Sequence, residues 1–369
     1  MIFEEVKAPD PPKLSGIARL MSKNQPPEVQ PPTPSPAPPA TPTMTPRPSP
    51  MYILRTFLEA ITNKCEDGRI VVTRSEQKTP VIRFILLNPA DRLAEVVKQA
   101  KSTVLVGGTM EPAQLLVESL KRASLGSEIR RFSCEHVIDD DRLLAVTVSK
   151  TFDNKQLLLT YENRSDHILR SIVETINHLT KQIPNGVVVF LPSFQVLARL
   201  KPLVSSSKSA DKKRRVFWEG ADQATKTLEG FAASAKRPDG AIIYAVVGGK
   251  LSEGINFSDE LGRAVIMVGL PYPNKHSVEL SEKMKYLDGQ MKNGGSLLYE
   301  SLCMHAVNQA IGRAIRHKND YASVFLLDER YTQLNVRSKL STWIGKRLVT
   351  GLGFAELTKR TKIFFDAKK

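Results

Sequence analysis

Residues 246–258 read Val-Val-Gly-Gly-Lys-Leu-Ser-Glu-Gly-Ile-Asn-Phe-Ser. Two glycines, a lysine and a nearby serine are residue types that can cradle a phosphate. The spacing excludes the P-loop, which needs a glycine five residues before its Gly-Lys pair and Ser or Thr directly after the lysine. Here Tyr244 stands five before Gly249, and Leu251 follows Lys250. An ordinary strand-to-helix turn accounts for the glycines but not for Glu253 or Asn256.

A second stretch, "NQAIGRAIRHKNDY", is more specific. Gln309, Gly312, Arg313 and Arg316 stand in a Q-x-x-G-R-x-x-R pattern. On a helix these four positions share one face. Gly312 opens that face to close approach. Two guanidiniums one turn apart can both reach one phosphate, each offering a permanently charged planar fork. A surface ion-pair face is the competing reading, and the glutamine and glycine argue against it. Asp139, Asp140 and Asp141 form the only tight acidic cluster and read as a solvated turn rather than a metal site. The six histidines, His317 among them, offer no catalytic dyad.

The elements that must position these residues alternate along the chain. "RIVVT", "VIRFILL" and "STVLVGG" are strand-length apolar runs ended by turn residues. "DRLAEVVKQAK" and "PAQLLVESLKRA" carry helical periodicity between and after them. Beyond residue 150 the alternation sharpens. "SDHILRSIVETINHLTKQI" is an amphipathic helix capped by Ser165. "GVVVFLPS", "GAIIYAVVGG", "RAVIMVGLPYPN" and "YASVFLLDER" are strands. "FQVLARLKPL", "ADQATKTLEGFAASAK" and a long "SLLYESLCMHAVNQAIGRAIRH" are helices. Such alternation implies a parallel sheet covered by helices on both faces. Ligands then bind at the carboxyl ends of the strands, where "GGKLSEGINF", "PYPN" and "GGTMEP" fall.

The net charge of +15 over 369 residues favours an anionic partner, nucleic acid first and a membrane surface second. No apolar run is long enough to span a bilayer, and "MIFEEVKAPD" has no signal-peptide character. Three dispersed cysteines, Cys65, Cys134 and Cys303, suit a reducing compartment better than a disulfide framework or zinc site. Fifteen of the 24 prolines lie in residues 1–50, which read as an extended, disordered segment. A spacer is the plain reading and a ligand for a partner domain the sharper one. "SSSKSADKKRR" reads equally as a solvated basic loop or as a phosphate-contacting or nuclear-import segment.

Taken in order, "GGTMEP", "VVVFLPSFQVL", "GGKLSEGINFSDELGRAVIMVGLPYPN", "NQAIGRAIRHKNDYASVFLLDERY" and "KLSTWI" closely resemble the C-terminal part of one helicase family. That family is the XPD-like iron–sulfur DNA helicases of superfamily two. Asn256, where the XPD branch usually carries Asp, points to its Chl-type (chromosome-loss) branch of sister-chromatid cohesion. The resemblance covers about residues 51–345.

The resemblance implies a RecA-like α/β fold: residues 151–369 as motor domain 2, 51–150 as the end of the arch and the last strands of motor domain 1, and 1–50 as a disordered arch remnant or linker. It implies that "GGKLSEGINF" is helicase motif V, with Ser252 near DNA and Glu253, Gly254 and Asn256 linking nucleotide to strand. "NQAIGRAIRH" matches motif VI, with Arg313, Arg316 and Gln309 catalytic and Gly312 beside the nucleotide. "GGTM" matches motif III, placing Gly108 and Thr109 at the nucleotide. "FLPSFQVL" matches motif IV, placing Ser193 and Phe194 near single-stranded DNA, although Phe194 reads equally as a core residue.

It also implies ATP with Mg²⁺ as cofactor and 5′-to-3′ action on single-stranded and forked DNA. The implied partners are an upstream motor domain and replication or cohesion proteins, with no membrane, and the implied location is the nucleus. The chain contains no G-x-x-x-x-G-K-[ST], no D-E-A-H and no four-cysteine cluster for the family's iron–sulfur centre. The rival expectation is a non-catalytic module that binds nucleic acid or a partner without turning over ATP.

Overall fold

Six-residue runs such as Val187–Leu191 with its leading glycine are apolar throughout, as strands buried on both faces must be. In the computed structural model they build a seven-stranded sheet. The structure describes residues 49–62, 65–75, 78–123, 128–211, 213–220, 224–251 and 257–368. The Pro-rich expectation for residues 1–50 lies almost wholly outside them. The chain divides into two compact units, one ending at Leu87 and one running from Asn88 to Lys369.

The first unit holds helix α1 (Pro50–Thr62) and an antiparallel hairpin of β1 (Gly68–Ser75) and β2 (Lys78–Leu86), in register with Val72 opposite Ile82. "RIVVT" and "VIRFILL" are thus strands, paired with each other and not with the large sheet.

The second unit begins with α2 (Pro89–Gln99) and α3 (Gln114–Ala123). Its sheet has the order β5-β6-β4-β7-β8-β3-β9, every neighbouring pair parallel. The strands are β3 (Leu143–Val148), β4 (Gly186–Leu191), β5 (Arg215–Trp218), β6 (Ala241–Val246), β7 (Ala264–Val268), β8 (Ala322–Leu327) and β9 (Leu348–Val349). The crossovers are α4 (Asp166–Thr180), α5 (Phe194–Ser206), α6 (Ala224–Ala235), α7 (Val278–Gln290) and α8 (Gly294–Ile311), with α9 (Phe354–Asp366) closing the chain. Ser165 caps α4, its hydroxyl accepting from the Ile168 N–H at 3.4 Å.

Strand side chains alternate between two buried layers. Val188, Phe190, Ile243, Val265 and Met267 face α6 and α8, whose Phe231, Met304, Val307 and Ile311 fill that layer. Val187, Val189, Ile266, Val146 and Phe325 face the other layer, filled by Ile172 and Ile176 of α4, Leu200 of α5 and Phe365 of α9. The result is the expected helix-covered parallel sheet.

Three features add to or change the expectations. "LLAVTV", which lies before the division expected at residue 150, pairs with β8 along its whole length, Leu143 opposite Ala322 and Val148 opposite Leu327. "STVLV" forms no strand, and Val106 stays 84% exposed. An apolar run becomes a strand only where a neighbouring backbone takes up its hydrogen bonds. The basic loop is partly structural, since Arg214 donates to the carbonyls of Ile183 (2.5 Å) and Asn185 (3.3 Å) below α4. Burial pushes the Arg214 guanidinium below its ordinary value.

Candidate functional site

Gly107, Gly108, Thr109, Gln309, Gly312, Arg313 and Arg316 line one pocket of about 480 Å³. The two arginines reach it by a different route from the one their spacing predicts. Helix α8 stops at Ile311, with Gly312 as its C-cap (φ −62°). Residues 312–314 turn away and 315–316 are irregular, so the arginines do not share a helix face. Ala314 and Ile315 are buried in the core, which draws the backbone off the helix axis. The Arg316 N–H is instead held by an Asp320 carboxylate oxygen at 3.4 Å. Arg316 is exposed, and its guanidinium has no hydrogen-bond or ion-pair partner among the described residues. At Gly312 a β-carbon would stand 3.1 Å from the Asn308 carbonyl and 3.7 Å from the Thr109 hydroxyl, so the 107–109 loop sits close to the helix end.

Asn308, which sequence reading did not single out, fastens that loop. Its carboxamide is 2% exposed. It donates to the carbonyls of Glu111 (3.0 Å) and Lys339 (2.9 Å) and accepts from the Ser341 N–H (2.9 Å). One turn earlier, His305 bonds the Pro112 carbonyl. Burial holds its imidazole below the ordinary value despite that bond and the nearby Glu111. The only hint in the sequence is a polar residue amid the apolar positions of "HAVNQAI".

Ser252, Glu253, Gly254 and Asn256 lie outside the described residues, but the ends of their loop are fixed. Leu251 and Phe257 are fully buried. Buried Glu219, at the end of β5, accepts from the N–H groups of Val246 (2.6 Å) and Leu251 (3.0 Å). Gly249 packs against that carboxylate, where a β-carbon would meet Oε1 at 2.4 Å. Downstream, Asp320 gathers two loops. Its Oδ1 accepts from the Arg263 guanidinium (2.8 Å) and the Tyr321 N–H (2.9 Å), and its Oδ2 from the N–H groups of Asp259 and Arg316 (both 3.4 Å). His317 bonds Asp259 at 2.9 Å. Asp259, His317 and Asp320 hold their ligand-type atoms within 4.8 Å of one another. The Asp320 oxygens are already committed to N–H donors, so the cluster acts as a lock between loops.

A larger groove of about 1270 Å³ runs along the carboxyl ends of β4, β6 and β7. Gln309 lines it as well as the smaller pocket, so the two concavities adjoin. Ser193 lines the groove, but its hydroxyl is engaged as the N-cap of α5, accepting from the Val196 N–H at 3.3 Å. Phe194, 53% exposed, is a surface residue and not a core one, and is not among the groove's lining. One wall is a stack. Tyr272 and Tyr299 lie 4.8 Å apart, with the Arg330 guanidinium 5.8 Å from the Tyr272 ring and the Lys275 ammonium 5.9 Å from the Tyr299 ring. Arg330 is pinned by a forked ion pair to fully buried Asp328, both bonds 2.8 Å. Burial pushes the Tyr272 phenol up to about 12, and does the same to the Cys303 thiol behind it.

Residues 176–347 match the model of the helicase C-terminal domain. The ATP-dependent DNA helicase chl-1 of Caenorhabditis elegans is 56% identical over 99% of this chain and 44% of its own length. The chain carries a helicase C-terminal domain and is similar along nearly its whole length to part of that DNA helicase. The ATP-dependent DNA helicase DDX11 of Danio rerio is 37% identical over 87% of the chain and 38% of its own length. The chain thus spans less than half the length of the curated relatives it matches. An XPD helicase of known structure shares the fold, with a TM-score of 0.57 at 19% identity over 81% of this chain and 50% of that one. The matched helicase domain includes Gln309, Gly312, Arg313 and Arg316. Gly107–Thr109 lie before it, within the stretch aligned with the C. elegans helicase. No described helix is long and apolar enough to cross a membrane.

Proposed function

We propose that this chain supplies the second motor domain of an ATP-dependent DNA helicase that moves 5′ to 3′ on single-stranded and forked DNA. The observation that carries this reading is the convergence of the 107–109 loop with Gln309, Gly312, Arg313 and Arg316 on one pocket. Two guanidiniums, a carboxamide and a glycine-rich turn are donors suited to a polyphosphate tail, and among the described residues no carboxylate lines the pocket. ATP would lie with its terminal phosphates here. Arg313 and Arg316 would place positive charge where it develops as the terminal phosphoryl group leaves. Gln309, shared by pocket and groove, would link phosphate state to grip on the strand. Glu253, Gly254 and Asn256 would join the nucleotide side of that link, and Ser252, Ser193 and Phe194 the DNA side. The P-loop lysine, the magnesium ligands and the acid that orients water would come from an upstream motor domain. The names of the relatives support DNA as the substrate. Roles in repair, replication and sister-chromatid cohesion, and a nuclear location, extend that reading from the family.

The test joins this chain to the upstream portion of the C. elegans relative and measures ATP hydrolysis and strand displacement. The joined protein should hydrolyse ATP in response to single-stranded DNA and displace a strand from a substrate with a 5′ tail. The chain alone should hydrolyse none. Hydrolysis by the chain alone, abolished by Arg316→Ala, would demand a different site.

A further inference from the structure

At one end of the large groove the turn before α4 presents Tyr161 and Arg164 to the same space. Tyr161 is 72% exposed, one of the most exposed aromatic rings among the described residues. A ring so exposed at the rim of the groove contributes little to packing.

Arg164 is half-buried. Its Nε donates to the Leu159 carbonyl at 3.3 Å, and its two terminal nitrogens have no hydrogen-bond partner among the described residues. Its neighbours offset its charge only in part. Buried Asp328, whose charge acts on it, is already bound bidentately by Arg330. Glu162 is occupied by its own backbone N–H and the Thr160 hydroxyl, which hold its carboxyl below the usual range. Burial and the guanidiniums of Arg330 and Arg199 push Arg164 below its ordinary value, against a partial offset from Asp328 and Glu162. Arginine keeps its proton regardless, so this cation is held in a site short of negative charge.

The turn that carries both side chains is fixed in place. The Leu159 N–H donates to Asp328 at 3.1 Å, and the Leu159 carbonyl accepts from Arg330 at 3.3 Å. Arg199 donates to the Arg164 carbonyl at 2.7 Å and to Asp166 at 2.6 Å. A ring and an unused guanidinium fork three residues apart are therefore held ready for a ligand carrying a flat face and an anion.

We propose that Tyr161 and Arg164 grip one nucleotide of a single strand lying in this groove, Tyr161 stacking on the base and Arg164 binding the adjacent phosphate. The proposal rests on the strand-binding part of the reading above and names residues that reading does not use. Single-strand binders pair an aromatic platform with a basic track in this way. A duplex would not suit the platform, because its bases are already stacked.

The test uses the purified chain, a short oligothymidylate and the same oligomer made abasic, at several salt concentrations. Tyr161→Ala should weaken binding of the thymidylate about tenfold, the scale of one stacked base, and leave the abasic oligomer unaffected. Tyr161→Phe should retain the wild-type affinity. Arg164→Ala should weaken both oligomers and make the slope of log affinity against log salt shallower by about 0.7, one phosphate contact on a single strand. The exposure of Tyr161 means its variants should melt like the wild type, which thermal denaturation checks. A chain that binds thymidylate but ignores Tyr161→Ala, or loses equal affinity for both oligomers, overturns the grip alone. A wild-type chain that binds neither oligomer overturns the strand reading as well.

Discussion

Replacing Asp320 by alanine should be among the most damaging single changes in the second unit. The Asp320 side chain is fully buried and that of Arg263 is 7% exposed, at 2.8 Å from each other. Arg263 also donates to the Tyr321 carbonyl at 3.0 Å and lies 3.9 Å over the Tyr321 ring. Removing the carboxylate leaves a buried cation without its counter-charge and three backbone N–H groups without an acceptor. Breaking a buried pair from one side costs about 3–5 kcal/mol. A typical domain has about 5–15 kcal/mol in total, so the melting temperature should fall by roughly 10 °C. Urea unfolding of the purified chain measures this as a lower midpoint at unchanged slope. Asp320→Asn, which keeps the shape and one acceptor, should lose less. The paired change of Arg263→Met with Asp320→Leu should also lose less than Asp320→Ala, because it removes both charges. A loss below about 1 kcal/mol for Asp320→Ala would refute the claim that this pair locks the loops on either side of the arginines.

Other consequences are also measurable. His136 and His305 have imidazoles held below their ordinary value, chiefly by burial, with Arg347 adding to the effect at His136. The unfolded chain therefore binds those protons first. Their contribution to stability is complete above about pH 6.5 and is lost as the pH falls below it. Urea midpoints should drop across that range, and His305→Gln should flatten the drop; a midpoint that rises on acidification would contradict this. Gly249→Ala would put a β-carbon 2.4 Å from Glu219 Oε1. It should cost about 1–3 kcal/mol in thermal stability, and a neutral result would mean that the Glu219 clasp is loose. A thiol reagent should label exposed Cys134 in the folded chain and leave Cys303 untouched until unfolding, since Cys303 is buried with its thiol pushed up to about 12.

The central sheet was legible because strands buried on both faces must be apolar throughout, as "GVVVFL" and "AIIYAV" are. The cap at Ser165 and helices α2 to α6 followed from periodicity and turn chemistry. What was not legible depended on distant partners. "LLAVTV" lies before the expected boundary, and only its pairing with β8 assigns it to the sheet. "STVLV" has the composition of a strand, yet no described strand pairs with it. The arginine motif was found by residue type and spacing. The helix assumed to carry it ends at Ile311, because Ala314 and Ile315 are needed in the core. Asn308, Glu219 and Asp320 left almost no trace in the sequence. Each is one polar residue whose value lies in backbone groups brought to it from far along the chain.

Arg313 and Arg316 are proposed to act on the phosphates of ATP. The most direct test is the rate of ATP hydrolysis by the chain joined to its relative's upstream portion, with each arginine changed to lysine. Lysine keeps the charge and loses the planar fork. Arg313→Lys and Arg316→Lys should each lower the rate by about 10³-fold or more, with melting temperature and single-strand affinity near wild type and Lys318→Ala mild. Full hydrolysis by both lysine variants would contradict the proposal and leave the motif as a structural ion-pair surface.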